Sequence, residues 1–145
     1  IVSYRELEGP INKSRQLAEI VKEAVPARYR RHGGHPSRKI FQALRLAVNS
    51  ELHNIAAVLP QTVEVLAPKG RLCVISYHSL EDRLIKQFFR EKANPCSCPA
   101  NRPCICNKKP LLKVLTGKAV KPAAEEVDAN PRARSARLRV AERME

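Results

Sequence analysis

Arg71–Arg83, RLCVISYHSLEDR, is the stretch whose reading decides the fold. It opens on Leu72-Cys73-Val74-Ile75, an apolar and largely β-branched run that predicts a buried strand, with Cys73 as a small core side chain. Pro68 and Gly70 punctuate its start. A polar cluster follows: Ser76, Tyr77, His78 and Ser79. Leu80, Leu84, Ile85, Phe88 and Phe89 then recur at helical spacing, and Ser79 with Asp82 has the form of a capping box. Strand, polar loop and helix together make an α/β unit. In open α/β sheets ligands sit at the carboxyl ends of the strands, where SYHS falls.

Working back from that strand, Ser37–Leu59 predicts one long helix, on the order of 30 Å, capped by Ser37. Phe41, Leu44, Val48, Leu52, Ile55 and Leu59 share an apolar face. Pro60 is expected to break the helix, with Thr62–Leu66 forming a further turn. Arg38, Gln42, Arg45 and Asn49 fall on a second face. Such a stripe is either solvated or suited to hydrogen-bonding a base edge or a substrate. Further upstream, residues 3–25 are helical in their second half, with Ile11, Leu17, Ile20, Val21 and Val25 on one side. Asn12 or Ser14 is the expected cap, and Pro26 the stop. Between the helices lies ARYRRHGGHP. Its Arg28, Arg30 and Arg31 around Tyr29 suit phosphates and a stacked base. No strand precedes Gly33-Gly34, so the pair is a weak phosphate cradle, and His32 and His35 lack an acidic or Cys neighbour for a metal site.

Downstream, NPCSCPANRPCICNKKP sets Cys96, Cys98, Cys104 and Cys106 in the pattern C-x-C-x5-C-x-C. Two close thiolate pairs can surround one tetrahedral Zn²⁺, and four thiolates would make it structural, because no position stays open for catalysis. The competing readings are two disulfides or four free thiols. Residues 111–120 predict a strand, 127–134 a loop and 136–143 a last strand, the two strands pairing antiparallel across a long connection. In an extended chain Arg132 and Arg134 share one side, as do Arg137 and Arg139. A row of guanidiniums suits phosphates, and edge-strand protection by charge is the alternative.

The 145 residues fit one ordinary domain, and their formal net charge of +13 points to a polyanion, most often nucleic acid. No apolar run reaches the ~20 residues of a membrane span, and residues 1–15 carry charges unlike a secretory signal. A cytoplasmic location follows as an expectation, with a metal site or free thiols favoured over disulfides. The sequence starts at Ile1 in mid-pattern, which reads as a fragment or proteolytic product.

Three blocks, HPSRKIFQALRLAVNSEL, GRLCVISYHSLEDRLIK and NPRARSARLRVAER, in that order, resemble the bacterial ribosomal RNA small-subunit methyltransferase H family, also called MraW. The likeness runs from about Asn12 to Glu142. It implies transfer of a methyl group from S-adenosylmethionine to N4 of a cytidine in 16S rRNA, within the small ribosomal subunit. It also implies a doubly wound methyltransferase domain with a helical insertion that helps hold the RNA. Residues 1–36 would then end the insertion, and 37–145 would form the C-terminal half of the methyltransferase domain, with a Cys-rich loop at 94–107 similar to one in part of the family. The family's Gly-rich cofactor turn, the acidic residue after its second strand and its Asp-Leu-Gly-type motif do not occur in these residues. The cofactor site is therefore expected mostly outside this chain, which alone should be inactive.

Within that frame His78 is the candidate to take a proton from the attacking amine, and Ser76 and Tyr77 the candidates to line the pocket. The alternative for His78 is a helix-start histidine held by local hydrogen bonds. Ser79, like Ser76 and Tyr77, would orient the base or line the pocket, while Glu81 and Asp82 would brace the site through Arg83 or Arg45. The basic loop at 28–31, with Arg28, Arg30 and Arg31, and the arginines of 132–139, Arg132, Arg134, Arg137 and Arg139, would hold flanking phosphates. The rival reading is a non-enzymatic zinc-containing RNA-binding module. A homodimer through the face left open by the absent half is a further expectation.

Overall fold

The computed structural model describes residues 1–30, 34–99, 101 and 104–145. The described chain divides into two compact units, Ile1–Glu51 and Leu52–Glu145.

The first unit is helical: α1 (Val2–Glu8), α2 (Ser14–Ala24), α3 (Ala27–Arg30) and α4 (Ser37–Val48). α2 packs on α4 and buries Leu17 and Val21, two positions of the apolar stripe seen in the sequence. Neither expected cap is used. Lys13 is the N-cap of α2, and the Asn12 backbone N–H donates instead to Gln16 Oε1 at 3.2 Å. Ser37 likewise lies inside α4, and its N–H donates to His35 Nδ1 at 3.3 Å.

The expected single helix from Ser37 to Leu59 is two helices. α4 stops at Val48, and Ser50 takes φ 51°, a left-handed conformation that ends a helix. α5 (Glu51–Val65) then runs straight through Pro60. A proline within a helix forfeits one hydrogen bond and crowds the preceding turn. Here Gln61 Nε2 donates to the Ala57 carbonyl at 3.1 Å, and Thr62 Oγ1 to the Leu59 carbonyl at 2.7 Å, giving carbonyls of the disturbed turn side-chain donors. Because the helix is broken, the long apolar face does not form: Val48 is 80% exposed while Leu59 is buried.

The second unit holds α5, β1 (Arg71–Ser76), α6 (Ser79–Ala93), β2 (Leu112–Val114), α7 (Ala124–Ala129), a 3₁₀ turn (Pro131–Ser135) and β3 (Arg137–Arg143). It is a mixed helix-and-sheet unit whose three strands are ordered β1-β3-β2, both pairings antiparallel. The expected C-terminal hairpin is present, shorter than 111–120 on its first arm, with a further bridge from Val120 to Leu138. Where a loop was expected over 127–134 the chain forms α7 and the 3₁₀ turn, the latter capped by Asn130 Oδ1, which accepts from Arg132 N–H at 3.2 Å.

One face of this sheet is the core. Leu59, Val63, Ile85, Phe89, Leu112 and Ala141 are buried together, with Leu72, Val74 and Val114 packed against them. β1 alternates: Leu72, Val74 and Ser76 turn towards cover, while Arg71, Cys73 and Ile75 are exposed. The fully buried strand expected from RLCVIS is thus a one-sided strand, and Cys73 is not a core residue. No described element covers its second face.

Candidate functional site

The turn into β1 is built from Pro68, Lys69 and Gly70. Lys69 adopts φ 65°, and a side chain at Gly70 would meet the Ala67 carbonyl at 2.7 Å, so the tight approach needs glycine. Arg143 secures the same corner: its Nη1 donates to the Glu64 carbonyl at 3.0 Å and to the Leu66 carbonyl, neutralising the exposed end of α5. β1 is therefore anchored where it begins, and it delivers Ser76–Ser79 to the start of α6.

There the capping box is shifted one residue from the expected Ser79–Asp82 pair. His78 is the N-cap: its Nδ1 accepts from the Glu81 N–H at 3.4 Å. Glu81 Oε2 in turn accepts from the N–H groups of Tyr77 at 2.8 Å and His78 at 3.2 Å. His78 Nε2 is buried and lies 3.1 Å from Glu81 Oε1, out of line for a hydrogen bond. Glu81 thereby pins two consecutive peptide groups of the loop. Ser76 is buried, its hydroxyl donating to the Arg137 carbonyl at 3.5 Å. Tyr77 is 57% exposed, and Ser79 is exposed. The sequence grouping of Ser76, Tyr77, His78 and Ser79 is thus kept, with Tyr77 the large side chain it offers outward.

Asp82, which is not the capping residue, makes instead a buried ion pair. Its carboxylate takes a two-pronged pair from Arg139, Nε to Oδ1 at 2.6 Å and Nη2 to Oδ2 at 3.2 Å, and a third contact from Arg137 Nη1 at 3.1 Å. Asp82 and Arg139 are both buried polar residues. The hydrogen bond from Arg139 holds the Asp82 carboxyl below its usual value; burial opposes this, and Arg137 adds to it. These arginines fix α6 to β3 directly behind the His78 cap. They were expected to face phosphates; β3 does set Arg137 and Arg139 on one side, but that side faces Asp82. Arg83 and Arg45 are not the partners of Asp82 or Glu81 expected from sequence. Arg45 instead pairs with Glu51 at 2.8 Å, and Asn49 donates to the same carboxylate at 3.3 Å.

The remaining candidates are placed as follows. Arg132 and Arg134 are exposed, but in a 3₁₀ turn residues two apart point about 120° apart, so the pair does not form the one-sided row an extended chain would give. Arg30 donates Nε to the Val25 carbonyl at 2.6 Å and Nη2 to the Glu23 carbonyl at 3.1 Å, closing the end of α2. Arg28 is exposed on α3, Arg38 is exposed and Gln42 half-buried on α4. Arg31 and His32-Gly33 lie outside the described residues. On α6, Arg83, Lys86 and Arg90 form an exposed basic stripe that sequence reading passed over; the i, i+3, i+7 spacing was its signal.

Cys96, Cys98, Cys104 and Cys106 come together, their sulfurs all within 4.8 Å of one another. Cys106 is pulled down to about 6, first by the backbone N–H of Lys108 and then by Cys104. At Cys96 the Cys98 N–H favours the thiolate, yet the neighbouring sulfurs outweigh it and push the thiol up to about 11. No helix among the described residues is long and apolar enough to cross a membrane.

Against known proteins, the family model described as the MraW methylase family matches residues 1–144. Relatives named ribosomal RNA small subunit methyltransferase H are similar over nearly the whole chain. That of Halothermothrix orenii is 54% identical over 136 residues, covering 93% of this chain and 44% of its own length. The Thermomicrobium roseum protein is 56% identical over 136 residues, 93% of this chain and 41% of the relative. The one from Heliobacterium modesticaldum is 49% identical over 145 residues, 99% of this chain and 46% of the relative. The chain therefore spans less than half the length of these relatives.

Proposed function

Since the chain belongs to the MraW methylase family, we propose that it is the C-terminal part of an rRNA methyltransferase that uses S-adenosylmethionine to methylate N4 of a cytidine in 16S rRNA of the small ribosomal subunit. The observation that carries this reading is the family match over residues 1–144. The second unit supplies a matching scaffold: a strand whose carboxyl end presents a pinned polar loop, in the place where α/β sheets hold ligands. The second, uncovered face of β1 and its free edge are where the rest of a doubly wound sheet would add. Residues 1–36 belong, on this reading, to the end of an RNA-holding helical insertion.

The described residues do not amount to a nucleoside pocket. At the end of β1 the carboxylates are engaged, Glu81 with two peptide N–H groups and Asp82 with two arginines, and no glycine-rich turn accompanies them. The cofactor, which when bound supplies the sulfonium-linked methyl group, would be held by residues outside this chain.

What this chain's residues contribute is position. In-line attack by an exocyclic amine gains most from orientation, with effective molarities on the order of 10⁵ M or more for well-placed partners. Tyr77 is the stacking surface for an unstacked base. His78 and Glu81 hold the loop that carries Tyr77, and Ser76 ties that loop to β3. Because His78 Nδ1 accepts from the Glu81 N–H, the neutral ring carries its one proton on Nε2, beside Glu81, and His78 acts as a positioning residue. The exposed arginines 28, 38, 132 and 134 and the α6 stripe give the phosphate contacts.

The test is methyl incorporation into small-subunit rRNA by the full-length protein, with the product nucleoside identified by mass spectrometry. Calorimetry of S-adenosylmethionine with this chain and with the full-length protein runs beside it. N4-methylcytidine with cofactor bound only by the full-length protein supports the proposal. A different product, or cofactor binding by this chain alone, overturns the substrate or the placement of the cofactor site respectively.

A further inference from the structure

We propose that Cys96, Cys98, Cys104 and Cys106 form a structural zinc site, a closed tetrathiolate knuckle that orders the connection between α6 and β2. The geometry is that of a cage and not of disulfides. With Zn–S bonds near ~2.3 Å, the edges of a ZnS₄ tetrahedron are about 3.8 Å. Cys104 Sγ lies 3.5 Å from both Cys96 Sγ and Cys106 Sγ. All four sulfurs fall within 4.8 Å of one another. A disulfide needs sulfurs about 2.05 Å apart, and it joins two sulfurs only, whereas here four converge on one centre.

The backbone around the sulfurs is shaped for the same purpose. Asn107 takes φ 50°, a left-handed turn directly after the last cysteine. The backbone N–H of Lys108 faces Cys106 Sγ, and that of Cys98 faces Cys96 Sγ, each two residues on from the sulfur. Such N–H donors are what sulfur ligands require around them once they carry negative charge. Lys108 also reaches across the loop, its Nζ donating to Ser97 Oγ at 3.3 Å between two ligands. At the loop's base the Leu111 N–H donates to the Lys92 carbonyl at 2.9 Å, so both ends are already fixed to the sheet and α6. Cys96 and Cys104 are exposed, and none of the described loop residues belongs to the buried apolar cluster. Metal binding supplies that ordering.

The site is tested on the full-length protein, purified without chelator from zinc-supplemented medium. Elemental analysis should find about one zinc per chain, with the four thiols reacting with a thiol reagent only after chelation. Cys73→Ser, outside the cluster, should keep the metal, and Cys96→Ser combined with Cys106→Ser should lose it. Should that double variant fail to fold, reconstitution of the unsubstituted protein with Co²⁺ remains decisive, since tetrahedral thiolate ligation gives intense visible d–d bands. Four freely reactive thiols with no metal, iron in place of zinc, or intact masses showing disulfides would each overturn the proposal.

Discussion

Replacing Asp82 with Asn removes the charge that Arg139 is buried against while keeping side-chain volume. Two guanidiniums share that carboxylate, and they are not equivalent. The Arg137 side chain is 39% exposed, so its pair is screened and worth no more than about 1 kcal/mol. The Arg139 side chain is only 9% exposed, and its fork is two-pronged at 2.6 and 3.2 Å. Stranding such a cation typically costs about 3–5 kcal/mol. At about 1.4 kcal/mol per factor of ten, amides of β1 and β3 should lose roughly 100- to 3,000-fold in hydrogen-exchange protection. Exchange followed by mass spectrometry reads this in the second unit without assuming that both units unfold together. Asp82→Leu with Arg139→Met should recover most of the loss, because a buried pair is often no better than an apolar one. A loss of protection under tenfold in Asp82→Asn would refute the argument that this pair fixes α6 to β3.

Four further outcomes follow from other contacts. Arg139 holds the Asp82 carboxyl below the usual carboxylate range, so its stabilisation is complete above the unfolded pKa and fades as pH falls through the lower folded one; acid titration of unfolding should show that loss below about pH 4, and Arg139→Met should diminish it. Pro60 is an exposed proline inside α5, and Pro60→Ala should raise stability by about 1–3 kcal/mol in urea melts, the restored N–H being the cause. Arg143→Ala leaves two carbonyls of the α5 terminus without their cation and should cost about 1–2 kcal/mol, seen as faster exchange in residues 62–71. Tyr77→Ala in the full-length protein should lower methyl transfer on the order of 10- to 100-fold while Tyr77→Phe retains it, as stacking worth about 1–3 kcal/mol requires.

The local α/β unit was legible because its signals are local. RLCVIS and the helix after it were fixed by β-branching and by three- and four-residue spacing, and the antiparallel partner by alternation in RLRVAER. The Cys cluster was legible from its pairwise spacing. What stayed hidden depended on distant residues. Whether Cys73 is buried is settled by what covers the second face of β1, not by its neighbours in sequence. Arg137 and Arg139 read as phosphate ligands because their acidic partner lies 57 residues from Arg139 in the chain. The capping box was misplaced by one residue because His78 is a less common cap than Ser79, although its Nδ1 accepts as a hydroxyl oxygen does. The break at Ser50 and the continuous helix through Pro60 inverted the expected order: the left-handed Ser50 ends α4, and α5 carries the proline in its interior.

β3 is the middle strand, and β1 and β2 meet only through it. Its pairing with β1 joins Arg71 to Glu142 and Ser76 to Arg137, contacts far apart along the chain. A nascent polypeptide that has emerged as far as residue 136 has the helices of this unit but neither pairing of the described β1-β3-β2 sheet. The apolar side of α6 must then wait, open to other chains, until the final strand arrives to zip between its neighbours. Sequences of this kind fold late and slowly. A stop codon ahead of Arg137 would therefore do more than trim an edge: it would leave β1 and β2 without the strand that joins them.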